Sequence, residues 1–264
     1  SKAISILNSN ISKTMGCTDI GVVGYIASIG AYTLRKKKIK SVHLLMSEEL
    51  YKNSVNVGVP GLRESGLDKA LALGILLKNP TKQLSVFESV THDDIYKIEN
   101  LLKEIDVSIE YKKFPDTVLY EELLITSTED DYTKIIIKDS YDNVVFVERN
   151  GEKLNEFDRD QLLTRINKDK IKKYDEILDY VDSNSFEGLE ELFRIAEFQY
   201  ENARNEIKIE GGKFLVEDLR LAQKECLYDL SNFLRKHITV PSRKRMVGDI
   251  YTVYGVAGSG NLGI

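Results

Sequence analysis

Apolar residues recur along this chain with two periods, and the change from one to the other marks its organisation. Ile4, Leu7 and Ile11 stand at helical spacing and predict a short amphipathic helix over residues 2–13. Gly16 interrupts it. Cys17-Thr18-Asp19 then opens a long apolar helix reaching about Lys37, with Cys17 or Thr18 at the cap and Lys36-Lys37-Lys38 at its negative end. Ser41–Met46 reads as a strand, and Glu48–Gly66 as a loop punctuated by glycine and proline. Leu67–Lys78 reads as a helix with Ser65 as its cap and Asn79-Pro80 as its stop.

In the middle the period shortens to two. Leu84–Ser89 reads as a strand, and Thr91 with Asp94 forms a capping box for a helix to about Ile105. Four strands follow, Val107–Tyr111, Val118–Thr126, Tyr132–Lys138 and Val144–Arg149, and the turn composition of Ser140–Asn143 joins the last two as a hairpin. From Asp158 the helical period returns over 158–166, 169–181, 185–202 and 214–238, with Gly211-Gly212 between the last two. A strand is expected at Ile250–Tyr254. The sum is an α+β (mixed α/β) fold. Residues 1–80 and 156–264 supply a helical layer from both chain ends, and 81–155 a small inserted α+β subdomain.

Composition narrows the function classes. With 264 residues the chain is long enough for a sizeable core, and its 42% hydrophobic and 30% charged content is that of an ordinary globular protein. A net charge of −5 gives no basic footprint for nucleic acid. The longest apolar run, Ile20–Leu34, is broken by glycine, serine and threonine and is too short for a membrane span. Two cysteines, Cys17 and Cys226, exclude a disulfide framework and point to a reducing compartment, so the cytoplasm is the expected location. His43, His92 and His237 are too scattered for a self-contained zinc site.

Three segments could carry chemistry. A cysteine at a helix start, as in Gly16-Cys17-Thr18-Asp19, meets unpaired N–H groups and the positive end of the dipole, which favours the thiolate. The same position also suits an inert buried residue. Tyr51-Lys52-Asn53-Ser54 followed by Gly58-Val59-Pro60-Gly61 could grip a carboxylate, or form a plain type II turn. Gly258-Ser259-Gly260-Asn261-Leu262-Gly263 matches a dinucleotide fingerprint only formally, since nothing downstream completes it, but its N–H groups could hold an anion. The chain stops directly after this loop, and the expectation is a truncated chain. Cys226 reads as core packing and Arg243-Lys244-Arg245 as a solvated loop, while paired carboxylates such as Asp93-Asp94 and Glu121-Glu122 are too common in so charged a chain to mark a site.

Taken in order, these segments resemble the L-cysteine desulfidase family, which is related to the serine dehydratase α chain. Its Gly-Cys-Thr-Glu-Pro motif is matched by Gly16-Cys17-Thr18-Asp19-Ile20. Its serine, Lys-Asn, Val-Pro-Gly and Ala-Leu-Gly sequence is matched by Ser47, Lys52, Asn53, Val59-Pro60-Gly61, Gly66 and Ala72-Leu73-Gly74. Its Arg-Met-x-Gly and Gly-Ser-Gly-Asn segments are matched by Arg245-Met246-Val247-Gly248 and Gly258–Ile264. The likeness covers about residues 13–78 and 243–264, and Asp19-Ile20 departs from its Glu-Pro. The resemblance implies a 4Fe–4S cluster held by three cysteines, whose free iron acts as a Lewis acid in β-elimination from L-cysteine or L-serine to pyruvate, ammonia and sulfide or water. Cys17 would be one metal ligand, and the other cluster cysteines would lie beyond this chain. Lys52, Asn53 and Asp19 would be catalytic; Thr18, Gly258, Ser259, Gly260 and Asn261 would bind substrate. The implied partners are a small amino-acid substrate and either a second copy of the chain or a missing C-terminal half, with no nucleic acid and no membrane. The other reading is a non-enzymatic ligand-binding or regulatory relative that has lost the cluster.

Overall fold

The structure, a computed structural model, describes residues 11–154, 189–209 and 230–256, and side chains within 11–154, 189–205 and 238–255. The chain divides into two compact units. One comprises Ser1–Ser12, Asn167–Lys244 and Val253–Ile264, the other Lys13–Ile166 and Arg245–Thr252. The fold is α+β, as the sequence periods require.

The second unit is built on a six-stranded sheet of β2 (Ile39–Ser47), β3 (Asp106–Lys112), β4 (Tyr120–Ser127), β5 (Tyr132–Lys138), β6 (Val144–Arg149) and β7 (Glu152–Lys153). Their order is β3-β2-β4-β5-β6-β7, with β2 and β3 parallel and every other pair antiparallel. A strict period of two turns Val42, Leu44 and Met46 of β2, Leu123 and Ile125 of β4, and Ile135 and Ile137 of β5 to the buried face. β1 (Ile11–Met15) precedes the first helix and β8 (Thr252–Val256) follows the last.

Helix α1 (Thr18–Thr33) lies on that buried face. Its only charged residue is Asp19, and it is buried nearly all round, as expected for a helix with apolar residues on every side. Gly30 touches the sheet: a Cβ there would stand 2.7 Å from Ile125 Cδ1 and 3.1 Å from Leu123 Cδ2. On the other side α1 is covered by α3 (Leu67–Leu77) and a 3₁₀ segment (Pro80–Ser89). Backbones meet where Gly74 of α3 crosses Gly24 of α1, since a Cβ on Gly74 would fall 2.3 Å from the Gly24 oxygen. Phe87, fully buried, packs its ring against Gly24. α2 (Glu48–Ser54) and α4 (His92–Glu104) complete the unit, and α4 starts with the expected Thr91–Asp94 capping box.

In the first unit, α5 (Glu190–Ile209) holds β8 through one buried glutamine. Gln199 Nε2 donates to Tyr254 O at 3.4 Å, and Tyr254 N donates to Gln199 Oε1 at 3.0 Å. Helix α6 (Leu230–Met246) carries Pro241 within it.

Several expectations are corrected. Ile11–Met15 is a strand rather than the end of a helix, and Glu48–Ser54 is helical rather than loop. The first long helix ends at Thr33, so Lys36-Lys37-Lys38 lie past its last turn, beyond the left-handed Arg35. Gly66, not Ser65, occupies the α3 cap position. Leu84–Ser89 is 3₁₀ rather than strand, because Pro80 starts a helical turn and Gln83 reverses the backbone at φ 48°. β2 shares one sheet with β3–β7, so the 81–155 block is not a subdomain of its own. Residues 2–10, the helices at 158–166 and 169–181, most of 214–238, Cys226 and Gly211-Gly212 lie outside the described residues.

Candidate functional site

Three chain segments far apart in sequence meet at the head of α1. Gly16 adopts φ +71° and presses against the Pro60 ring, where a Cβ would stand 2.4 Å from Pro60 Cγ. Gly58 N donates to Met246 O and Gly61 N to Gly248 O, both at 2.8 Å. Gly58 and Gly248 leave no room for side chains, since Cβ atoms there would come within 2.3 Å of Val247 C and 2.6 Å of Val59 O. Arg245 closes the assembly by donating its Nε to Gly16 O at 2.8 Å. The Gly-Cys, Val-Pro-Gly and Arg-Met-x-Gly segments thus form one structure for a steric reason: their glycines let three backbones touch.

Cys17 is the N-cap residue of α1, in extended conformation, and is 7% exposed. Its Sγ donates to Asp19 Oδ2 at 3.5 Å, and Tyr141, from the turn between β5 and β6, donates its hydroxyl to Asp19 Oδ1 at 3.0 Å. Asp19 is partly exposed, and so carries this network to the surface. Burial, and after it the Asp19 carboxylate, push the Cys17 thiol up to about 11, although its hydrogen bond with the Asp19 backbone and the Arg245 charge pull the other way. The expected thiolate is therefore corrected. At neutral pH Cys17 is a thiol, because the dipole and N–H groups of the helix start are weaker here than desolvation. Burial foremost, and then Asp19, also raise the Tyr141 phenol. Burial lowers the Arg245 pKa, with Cys17, Asp19 and Tyr251 opposing that shift.

One further acid faces this network. Glu121 on β4 is 0% exposed, and neither of its carboxyl oxygens has a hydrogen-bond partner. It occupies the same face as Leu123 and Ile125, opposite Met46 and Ile137 in register. Burial, and then the charge of Asp19, push its pKa well above the usual carboxylate range and so favour its protonated form. Thr18, 3% exposed, also has an unpartnered hydroxyl.

The predicted residues separate into three groups. Cys17, Thr18 and Asp19 stand together at the head of α1. Lys52 and Asn53 are exposed on α2, and no hydrogen bond or ion pair joins them to that cluster among the described residues. Gly258, Ser259, Gly260 and Asn261 lie outside the described residues. Three residues were misjudged or missed. Arg245, read as part of a solvated loop, is 2% exposed. Glu121, passed over as one of many paired carboxylates, falls on the core phase of its strand, a signal that the alternation Glu121, Leu123, Ile125 contains. Tyr141 has no sequence signal beyond its turn. A shallow depression of about 370 Å³ lined by Lys40, Ser41, Leu124, Thr126, Asp130 and Tyr132 lies on the outer face of the sheet, away from this chemistry.

A three-cysteine iron–sulfur cluster would need ligands from outside this chain. The chain has two cysteines, of which Cys17 is the one described, and no group of three His, Cys, Asp or Glu among the described residues is arranged to hold a metal ion. No helix among them is long and apolar enough to cross a membrane.

No family model matches the chain. It is similar to UPF0597 proteins of several bacteria. It is 30% identical to one from Caldanaerobacter subterraneus subsp. tengcongensis, with 98% of this chain and 60% of that protein aligned. The corresponding values are 27%, 99% and 61% for one from Clostridium perfringens, and 29%, 98% and 58% for one from Fervidobacterium nodosum. The chain therefore spans about three fifths of the curated relatives it matches. These matches correct the resemblance read from the motifs: over nearly the whole chain the similarity is to UPF0597 proteins, and no L-cysteine desulfidase or serine dehydratase name appears among them.

Proposed function

We propose that the head of α1 is the proton-handling and ligand-holding part of a lyase site for a small β-substituted amino acid, with L-serine and L-cysteine as the candidate substrates. One observation carries this reading. The partly exposed Asp19 carboxylate receives both the Cys17 thiol and the Tyr141 hydroxyl, with the buried Arg245 guanidinium behind it. Elimination needs a group that accepts a proton and one that returns it to the leaving group, and a carboxylate already sharing two protons can exchange one at small cost in reorganisation. In this reading Asp19 accepts, Tyr141 donates, and Arg245 holds the Gly16 carbonyl so that the carboxylate keeps its place. Residues beyond this chain, in proteins as long as its relatives, belong to the complete site.

A second reading is supported by the 7% exposed thiol, whose pKa burial raises: the same site binds a small ligand without turning it over. The two separate in one experiment. The chain is assayed anaerobically, with and without added iron and sulfide, for pyruvate and ammonia from L-serine and for sulfide from L-cysteine, beside Asp19→Asn and Tyr141→Phe. Turnover reduced at least about a hundredfold in Asp19→Asn, within the usual range for loss of a general base, supports the lyase. Binding without turnover under every condition leaves the ligand-binding reading.

A further inference from the structure

We infer that Glu121 recognises a primary ammonium group: a carboxyl buried on the core face of β4 with neither oxygen bonded is an open acceptor for a ligand that brings its own donors. The inference rests on reading the head of α1 as a ligand site and names what that ligand must carry. The position is unusual on the sheet. Every other residue of β4 on this face is apolar or a small hydroxyl: Leu123, Ile125 and Ser127. A buried polar group left unbonded destabilises the fold, so an acid at this phase is explained by a partner that arrives with the ligand.

Charge decides which partner. Among the described residues, the groups coupled to Glu121 are Asp19 from α1 and Tyr141 from the β5–β6 turn, both neutral or negative. A cation is therefore the complementary ligand. A metal ion does not suit, since no three ligating side chains converge among the described residues. A primary ammonium has three N–H donors, enough to satisfy both Glu121 oxygens. The proton balance is simple. The neutral acid becomes a carboxylate bound to R–NH₃⁺, and its proton leaves to solvent, so about one proton is released for each ligand bound at neutral pH. Removing the carboxyl's charge removes the discrimination between an amine and its absence.

Isothermal titration calorimetry of the full chain in neutral buffers of different ionisation enthalpy counts that proton. The probes are L-serine, L-cysteine and, as the amine-free match, L-glycerate. Expected are release of about one proton with L-serine, at least about tenfold tighter binding of L-serine than of L-glycerate, and loss of that preference in Glu121→Gln. Binding of L-serine without proton release, or equal binding of L-glycerate by the unaltered protein, overturns the role of Glu121 and leaves Asp19 as a ligand site. Failure of all three probes to bind overturns both readings. The proton count is made on the unaltered protein, so it stands even where the variant fails to fold.

Discussion

Alkylation of Cys17 is expected to be slow at neutral pH and to rise only as pH climbs toward about 11, because burial and the Asp19 carboxylate hold the proton on sulfur. Asp19→Asn removes the neighbouring charge, so the pH at which Cys17 becomes reactive should fall, as read by peptide-resolved mass spectrometry after iodoacetamide treatment. A rise, or no change, would show that Asp19 does not act on this thiol. Glu121 gives the companion test on stability. Its folded pKa stands well above that of the unfolded chain, about 4.3. Its protonated form is the one the fold tolerates, so the stability it permits is intact below the unfolded value and lost as pH rises toward the folded one. Glu121→Leu removes both the titration and the unbonded oxygens. It should therefore stabilise the protein by about 1–3 kcal/mol at pH 5, and by more at pH 8. Glu121→Gln isolates the titration alone: its advantage over the unaltered protein should grow with pH in thermal melts. A constant gap across that range would mean that Glu121 is not held neutral.

Elements were legible wherever one local pattern decided them. The strands from 106 to 149 follow an alternation that neighbouring strands reinforce, and the Thr91–Asp94 box satisfies its own helix end, so both can be read without tertiary knowledge. Leu84–Ser89 has strand-like composition, but its residues are placed by Pro80 and by Phe87 filling the space above Gly24, neither of which periodicity can register. Of the site, the helix start was legible as a motif and Glu121 as a phase error in a strand. Tyr141 and Arg245 were not, because each reaches the site only through folding, Arg245 from 229 residues away in sequence. The α1–α3 crossing follows the same logic, and its test belongs to the element. Gly74→Ala places a methyl group 2.3 Å from the Gly24 carbonyl oxygen, a backbone atom with nowhere to move. The helices must separate, at a cost of about 1–3 kcal/mol, although alanine is the better helix former. A rise in melting temperature would mean that α1 and α3 are not in backbone contact there.

At the scale of the molecule, a buried guanidinium joins segments that sequence keeps apart. Arg245 donates to the Gly16 carbonyl, and the residues after it accept from Gly58 and Gly61, so the start of α1, the Gly58–Gly61 turn and the Arg245–Gly248 segment have to form together. Chain-closure entropy opposes bringing such distant segments into register, and no local propensity assists. The arginine therefore supports the site more than the sheet, whose ladders form without it. Arg245→Met keeps the bulk of the stem but leaves the buried Gly16 carbonyl without this donor, a loss of about 1.5–3 kcal/mol for a hydrogen bond to a charged group. Hydrogen exchange separates this from general destabilisation. The Gly58 and Gly61 amides, which bond to Met246 and Gly248, should lose protection by at least about tenfold. Amides in the β4–β5 ladder, bonded to each other and not to the glycine turn, should change only by the global shift in stability. Equal loss in both places would make Arg245 a general stabiliser of the unit. Loss confined to the glycine turn would show that one side chain holds the three motif segments in the geometry that places Asp19.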